Sequence, residues 1–364
     1  MTNPLFKPFS IRGMTLPNRI VMAPMTRSFS PKGIPGDNVA AYYERRAAAD
    51  VGLILTEGTT IDRRGAGNDP NVPMFHGDAP LAAWKTICER VHVAGGKIAP
   101  QLWHTGMTRK PGTGHYPEAV TDSPSGMTHT GKAVMDPPSE ADIDDMVMSY
   151  ARSAKYAAEL GFDALEIHGA HGYLIDEFFW NVMNKREDRY GGGLAERATF
   201  AGDIVRECRK AVGSDMPIIL RFSQWKQQDY TARLAETPAE LETFLKVFVD
   251  AGVDILHCSQ RRYQEPEFDG SPLNLAGWTK TLTGLPTITV GSVGLNSDFF
   301  GAFAGQSSGA SPLDDVMERL EKGEFDLVAV GRALLQDPLW ATKIKDGDFD
   351  SLSDYDGKAI QTLY

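Results

Sequence analysis

The chain has 364 residues, 42% of them hydrophobic, with 36 Gly, 22 Pro and three Cys; 37 basic against 48 acidic side chains leave a formal charge of −11. Such apolar content supports a large core, and the aperiodic scatter of Gly and Pro excludes collagen, coiled coil and disorder. The acidic balance repels polyanions and argues against nucleic acid as a partner.

No run approaches the ~18 apolar residues of a membrane span, so no membrane partner is expected. The first seven residues, MTNPLFK, hold no apolar leader core, and the expectation is a soluble, unexported protein of the cytoplasm. Cys88, Cys208 and Cys258 are too dispersed for a disulfide framework or a metal cluster, so no metal is expected.

In chain order, Phe9–Pro17 reads as a short hairpin closing one end of the fold. Eight short apolar, β-branched runs follow: Asn18–Pro24, Val51–Glu57, Lys97–Leu102, Asp163–His168, Pro217–Phe222, Val253–Cys258, Pro286–Val290 and Asp326–Val330. Amphipathic stretches alternate with them near Asn38–Asp50, Ala79–Ala94, Glu140–Leu160, Leu194–Val212, Thr237–Ala251 and Pro312–Lys322. Ser139 with Asp142 opens the third helix, Gly161 closes it, and Gly252 closes the fifth. Length alone suggests two domains of ~150 residues. Eight strand–helix units instead predict one α/β domain over residues 1–364, a (β/α)8 TIM barrel. Two connections exceed ordinary loop length, His104–Pro138 after the third strand and Gly169–Gly193 after the fourth, and such loops are usually functional.

In a barrel, the chemistry belongs at the C-terminal strand ends. Those ends read Ala23-Pro24-Met25-Thr26, Glu57-Gly58, Gln101-Leu102-Trp103-His104, His168 through Tyr173, Arg221, Cys258-Ser259, Gly291-Ser292-Val293-Gly294 and Gly331-Arg332. Singly, a buried Gln, Arg or His can merely cap a layer of barrel side chains; their joint placement points to a site. Gly291–Gly294 after strand seven and Gly331-Arg332 after strand eight suit a phosphate, because glycines admit backbone N–H groups and Arg adds a charged fork. Neither a Walker A motif nor a G-x-G-x-x-G stretch occurs, which argues against a separate nicotinamide-binding domain.

Asn18-Arg19-Ile20, Ala23–Thr26, Gln101–His104, His168-Gly169-Ala170-His171-Gly172-Tyr173-Leu174, Arg189–Gly192 and Val330–Ala333 together resemble the Old Yellow Enzyme family of FMN-dependent ene-reductases, in that family's order and across essentially the whole chain. The resemblance implies non-covalent FMN reduced by NADH or NADPH, and hydride transfer to a small α,β-unsaturated substrate by a monomer or homodimer. It implies Thr26 at the flavin O4/N5 edge, Gly58 leaving room beside the flavin, Gln101 at O2/N3, Arg221 beside the N1/O2 charge, and Ala23, Pro24 and Met25 in the wall. It also implies His168 and His171 on the substrate's carbonyl oxygen, Tyr173 as proton donor to Cα, and Trp103 walling the substrate pocket, with His104 and Tyr263 as further pocket candidates. Thr26 stands where one subgroup has Cys. The cysteine-rich iron–sulfur segment of the longer relatives is absent. The stretches Arg221–Gln227 and Arg261–Pro266 depart from common members, which leaves the substrate open. An oxidative N-demethylase and a non-catalytic flavin module are the alternative readings.

Overall fold

The computed structural model describes residues 3–297 and 307–364. Phe9–Ile11 (β1) and Met14–Leu16 (β2) pair antiparallel, with Phe9 opposite Leu16, as the expected hairpin. The eight expected strands follow as Ile20–Met22 (β3), Leu53–Thr60 (β4), Lys97–Trp103 (β5), Leu165–His171 (β6), Ile218–Lys226 (β7), Ile255–Ser259 (β8), Thr287–Val290 (β9) and Leu327–Val330 (β10). All are parallel, and β10 pairs with both β9 and β3, so the barrel is closed.

Each strand is covered on both faces, which is why its sequence is almost continuously apolar. Alternate residues nevertheless sort into two cores. Ile20, Met22, Ile54, Ile98 and Ile167 pack outward under the helices. Val21, Leu53, Leu55, Ala99, Ile219, Ile255, Ile288 and Leu327 fill the interior together with Phe9, Met14 and Leu16 of the hairpin. The hairpin therefore plugs the N-terminal end of the barrel. Each fully buried aliphatic side chain there contributes roughly 1.5–3 kcal/mol, and Leu16→Ala would leave a void in that plug at a cost of ~2–5 kcal/mol.

Helix Glu140–Leu160 begins at the capping box expected from Ser139 and Asp142 and ends at Gly161, whose φ of 84° only glycine adopts without strain. Gly252 closes Pro238–Ala251 in the same way, φ 93°. The helix expected over Leu194–Val212 is divided into Leu194–Arg197 and Thr199–Val212. Among the described residues, the α-helices Leu174–Phe179, Leu275–Thr283, Arg332–Gln336 and Trp340–Asp346 were not expected, because each is too short to show a helical period. The long connection after β5 is organised around Arg109, whose buried guanidinium donates to the carbonyls of Thr113, Tyr116 and Ala119. Among the described residues, no helix is long and apolar enough to cross a membrane.

Candidate active site

The strand ends opposite the plug surround a cavity of about 570 Å³. Ala23, Pro24, Met25 and Thr26 follow β3; Gln101 and Trp103 end β5; His168, His171 and Tyr173 leave β6; and Arg221 stands on β7. Gly291, Ser292 and Val293 follow β9, and Gly331 with Arg332 follows β10. All of these line the cavity.

Two expected cofactor residues are not among the lining residues. Gly58 lies behind the wall, where a Cβ would stand 2.7 Å from the Trp103 ring, so its missing side chain makes room for the indole. Gly294 takes φ 72° and faces the Trp340 indole. His104 and Tyr263 are also absent from the lining. His104 is fully buried, sharing a hydrogen bond with Asp122 at 2.8 Å, and accepts the Gly106 N–H at Nδ1. Both contacts organise the long loop.

The cavity floor is a chain of buried polar groups. Gln101 Nε2 donates to Glu166 Oε1 at 2.7 Å, and the other carboxylate oxygen meets His257 Nδ1 at 2.6 Å. Arg221, opposite His257 in the ladder, donates from Nη2 to Ser259 Oγ at 3.2 Å. Burial pulls the Arg221 pKa down and Glu166 opposes this; a guanidinium remains cationic under such conditions. Its Nε, and Nε1 of Trp103, are buried with no partner among the described residues. An orphaned buried donor is costly; a guanidinium with an open N–H beside the Gln101 carbonyl oxygen fits an electron-rich ring that carries acceptor atoms and an N–H on its edge.

The rim above is aromatic. Trp103 and Tyr173 meet edge to face at 5.0 Å, and His168 lies 5.1 Å from both Tyr173 and His171. Burial, then the Arg221 charge, hold both histidine pKa values well below the usual range, so the rings are neutral at pH 7. The Ala170 N–H donates to His168 Nδ1 at 3.3 Å, which leaves His168 its proton on Nε2. His171 Nε2 and Ser259 Oγ share a hydrogen bond of 2.8 Å. His171 has φ 67°, unusual for a side chain with a Cβ, after an irregularity in the β6–β7 ladder between Gly169 and His171.

At the other end, Arg332 Nη2 donates to Ser292 Oγ at 3.1 Å and to the Ser297 carbonyl at 2.7 Å, joining the turns after β9 and β10. Gly291 and Ser292 both take positive φ. Two linked, sharply turned segments carrying an arginine suit a phosphate monoester, and with Arg221 and Gln101 on the floor they make the cavity's polar groups fit FMN.

Sequence reasoning missed several lining residues. Trp225 stacks on His171 at 4.6 Å, Gln227 reaches Tyr173, and Ser259 bridges Arg221 and His171. Trp225 and Gln227 lie in the departing stretch and Ser259 is a strand end, so position was legible but role was not. Tyr355 and Ile360 reach the cavity from the C-terminal segment, which carries no periodic signal.

The family model described as NADH:flavin oxidoreductase / NADH oxidase matches residues 4–350. NADH oxidase from Thermoanaerobacter brockii is 32% identical, the match covering 94% of this chain and 51% of that one, so the chain spans about half the length of that relative. 12-Oxophytodienoate reductase 7 from Oryza sativa subsp. japonica is 31% identical over 92% of this chain and 86% of its own length. Among solved structures, morphinone reductase in complex with tetrahydroNAD has a TM-score of 0.80 at 26% identity, covering 98% of this chain and 93% of that one. Family match, barrel and donor set agree on FMN as the cofactor, the comparisons give reduced nicotinamide as its hydride donor, and the chain belongs to the NADH:flavin oxidoreductase / NADH oxidase family, which includes the Old Yellow Enzymes.

Proposed function

We propose that this chain, acting as one FMN-binding barrel in the cytoplasm, reduces activated C=C bonds of small enones, enals, nitroalkenes or maleimides. FMN, when bound, supplies the hydride it has taken from NADH or NADPH to the alkene Cβ. The observation that carries the reading is the grouping of His168, His171, Tyr173 and Trp103 at the rim of a cavity with a cationic floor.

Gln101, Arg221 and Thr26 would hold the flavin ring, with Ala23, Pro24 and Met25 in the wall. Gly291, Ser292, Val293, Gly331 and Arg332 would hold its phosphate. Gly58 supports the site through Trp103, and Gly294 through the turn beside Trp340. The two neutral histidines donate N–H groups to the substrate's carbonyl or nitro oxygen. His168 does so from Nε2. Ser259, which accepts from Arg221, completes the chain by giving its own proton to His171 Nε2, leaving the His171 proton on Nδ1. Such preorganised donors act where negative charge develops as the β-carbon is reduced. Tyr173 gives its phenolic proton to Cα, and water restores it. Burial raises the Tyr173 pKa, which keeps the phenol protonated at neutral pH.

Anaerobic stopped-flow spectroscopy separates the two half-reactions. Reduced wild-type protein reoxidises on mixing with an enone, and Tyr173→Phe slows this step about a hundredfold relative to flavin reduction, within the range for loss of a general acid. Equal slowing of both steps refutes the proton-donor role; failure of wild type with every enone, enal, nitroalkene and maleimide tried refutes the substrate class.

A further inference from the structure

The last residue of β7, Lys226, and the two that follow it, Gln227 and Gln228, all hold the turn that leaves β6. Lys226 pairs with His171 in the ladder, and its buried Nζ donates to Asp176 Oδ1 at 2.6 Å. The other oxygen of Asp176 accepts the Gly172 N–H at 2.7 Å. The Gln227 N–H donates to the His171 carbonyl at 3.3 Å. Gln228 Nε2 donates to the Gly172 carbonyl at 2.9 Å, so close that a Cβ on Gly172 would lie 1.9 Å from Gln228 Oε1. Gln227 Nε2 donates to the Tyr173 hydroxyl oxygen at 2.9 Å. The left-handed conformation of His171 is therefore over-determined by its neighbours, as a strained residue in a site must be.

Lys226 and Gln227 lie in the stretch that departs from the family pattern, and both Gln227 and Tyr173 line the cavity. We propose that Gln227 is a positioning residue for Tyr173: its amide N–H occupies an acceptor site on the phenol oxygen, turns the remaining O–H toward the substrate, and stabilises the phenolate left when that proton moves to Cα. The inference rests on the proton-donor reading above and deepens it. No other proton or electron is needed: the O–H bond breaks, the Cα–H bond forms, and the charge left on oxygen is held by the Gln227 N–H until water reprotonates it. The Gln227 bond and the Arg221 charge both favour the ionised phenol against burial.

The test is a titration and a rate on the FMN-loaded protein. Phenolate absorbance is followed against pH in wild type and Gln227→Leu, and the Tyr173→Phe curve is subtracted so that only Tyr173 remains. Gln227→Leu raises the Tyr173 midpoint by about one unit, the scale of one hydrogen bond to a charged group. It also slows enone-dependent reoxidation about tenfold, with an increased solvent isotope effect. Gln227→Glu, which places a carboxylate beside the phenol, raises the midpoint further. An unchanged midpoint in Gln227→Leu overturns the assignment of Gln227. Unaltered reoxidation in Tyr173→Phe overturns the donor reading instead, and the midpoint still reports on Gln227, so the two failures are told apart.

Discussion

Gln101 and Glu166 share a hydrogen bond of 2.7 Å in which the amide is the donor, and this decides which end of Gln101 is left for the cavity. A carboxylate accepts only, and Glu166 is itself held by His257 at 2.6 Å. The Gln101 carbonyl oxygen is thereby kept free as an acceptor for a ring N–H. In Glu166→Gln the partner can donate as well as accept, and the amide loses its fixed sense. We expect FMN to dissociate about tenfold more readily, the size of one charge-assisted hydrogen bond. Quenching of flavin fluorescence on titrating the apoprotein measures this, and unchanged affinity would show that Glu166 does not orient Gln101.

Arg332 joins the turns after β9 and β10 through Ser292 and Ser297. If that end receives the phosphate, Arg332→Ala weakens FMN binding ten- to hundredfold, on the order of one charged bidentate contact, while riboflavin, which lacks the phosphate, loses little. Parallel titrations with the two flavins give the ratio. Equal losses would move the phosphate elsewhere.

The depressed pKa values of His168 and His171 carry a sign. In the unfolded chain a histidine binds its proton near pH 6.5; in the folded protein burial and Arg221 oppose it. Below that pH the unfolded state binds more protons, so this contribution to stability is present above about pH 6.5 and is lost as pH falls. Urea unfolding at saturating FMN should show an acid limb beginning there, and His168→Asn should flatten it by up to about 1.4 kcal/mol per pH unit, one proton's worth. An unchanged slope would mean that His168 titrates normally in the native state.

Glu57 behaves oppositely. Its Oε2 accepts the backbone N–H groups of Arg27 at 2.8 Å and Ser28 at 3.1 Å, just beyond Thr26, yet burial raises its pKa to about 7. A carboxyl raised above its unfolded value of about 4.5 contributes stability that is complete below that pH and is lost as pH rises through 7. Glu57→Gln keeps an acceptor and removes the buried charge. Its effect on stability should be more favourable at pH 8 than at pH 6 by about 1 kcal/mol, read from denaturation midpoints at both values. The reverse order would sink the assignment.

The barrel was legible because parallel strands buried on both faces leave apolar runs such as Val51–Leu55, and because Ser139, Gly161 and Gly252 mark helix ends by their own chemistry. The last turns of β7 were not. Ser223 to Lys226 is a polar sequence that continues as strand because its side chains find distant partners: Gln224 accepts the amides of Leu234 and Ala235 and donates to Glu267, and Lys226 finds Asp176. No local pattern announces partners ten to fifty residues away. Gly58 shows the same limit, since sequence marks where a side chain is missing and only structure says that Trp103 fills the space. The strand-end residues were findable as a group because barrel topology delivers them to one rim; Tyr355 and Ile360 arrive by a path no strand pattern traces.

The hairpin at the foot of the barrel makes the interior a blind tube. With Phe9, Met14 and Leu16 packed into its base, everything from solvent reaches the flavin cavity from the opposite mouth. On the proposed function, two substrates that use the same ring would then take turns in one vestibule, and an excess of either would obstruct the other. Mutual competition between nicotinamide and alkene would thus be a property of the plug as much as of the residues that bind them.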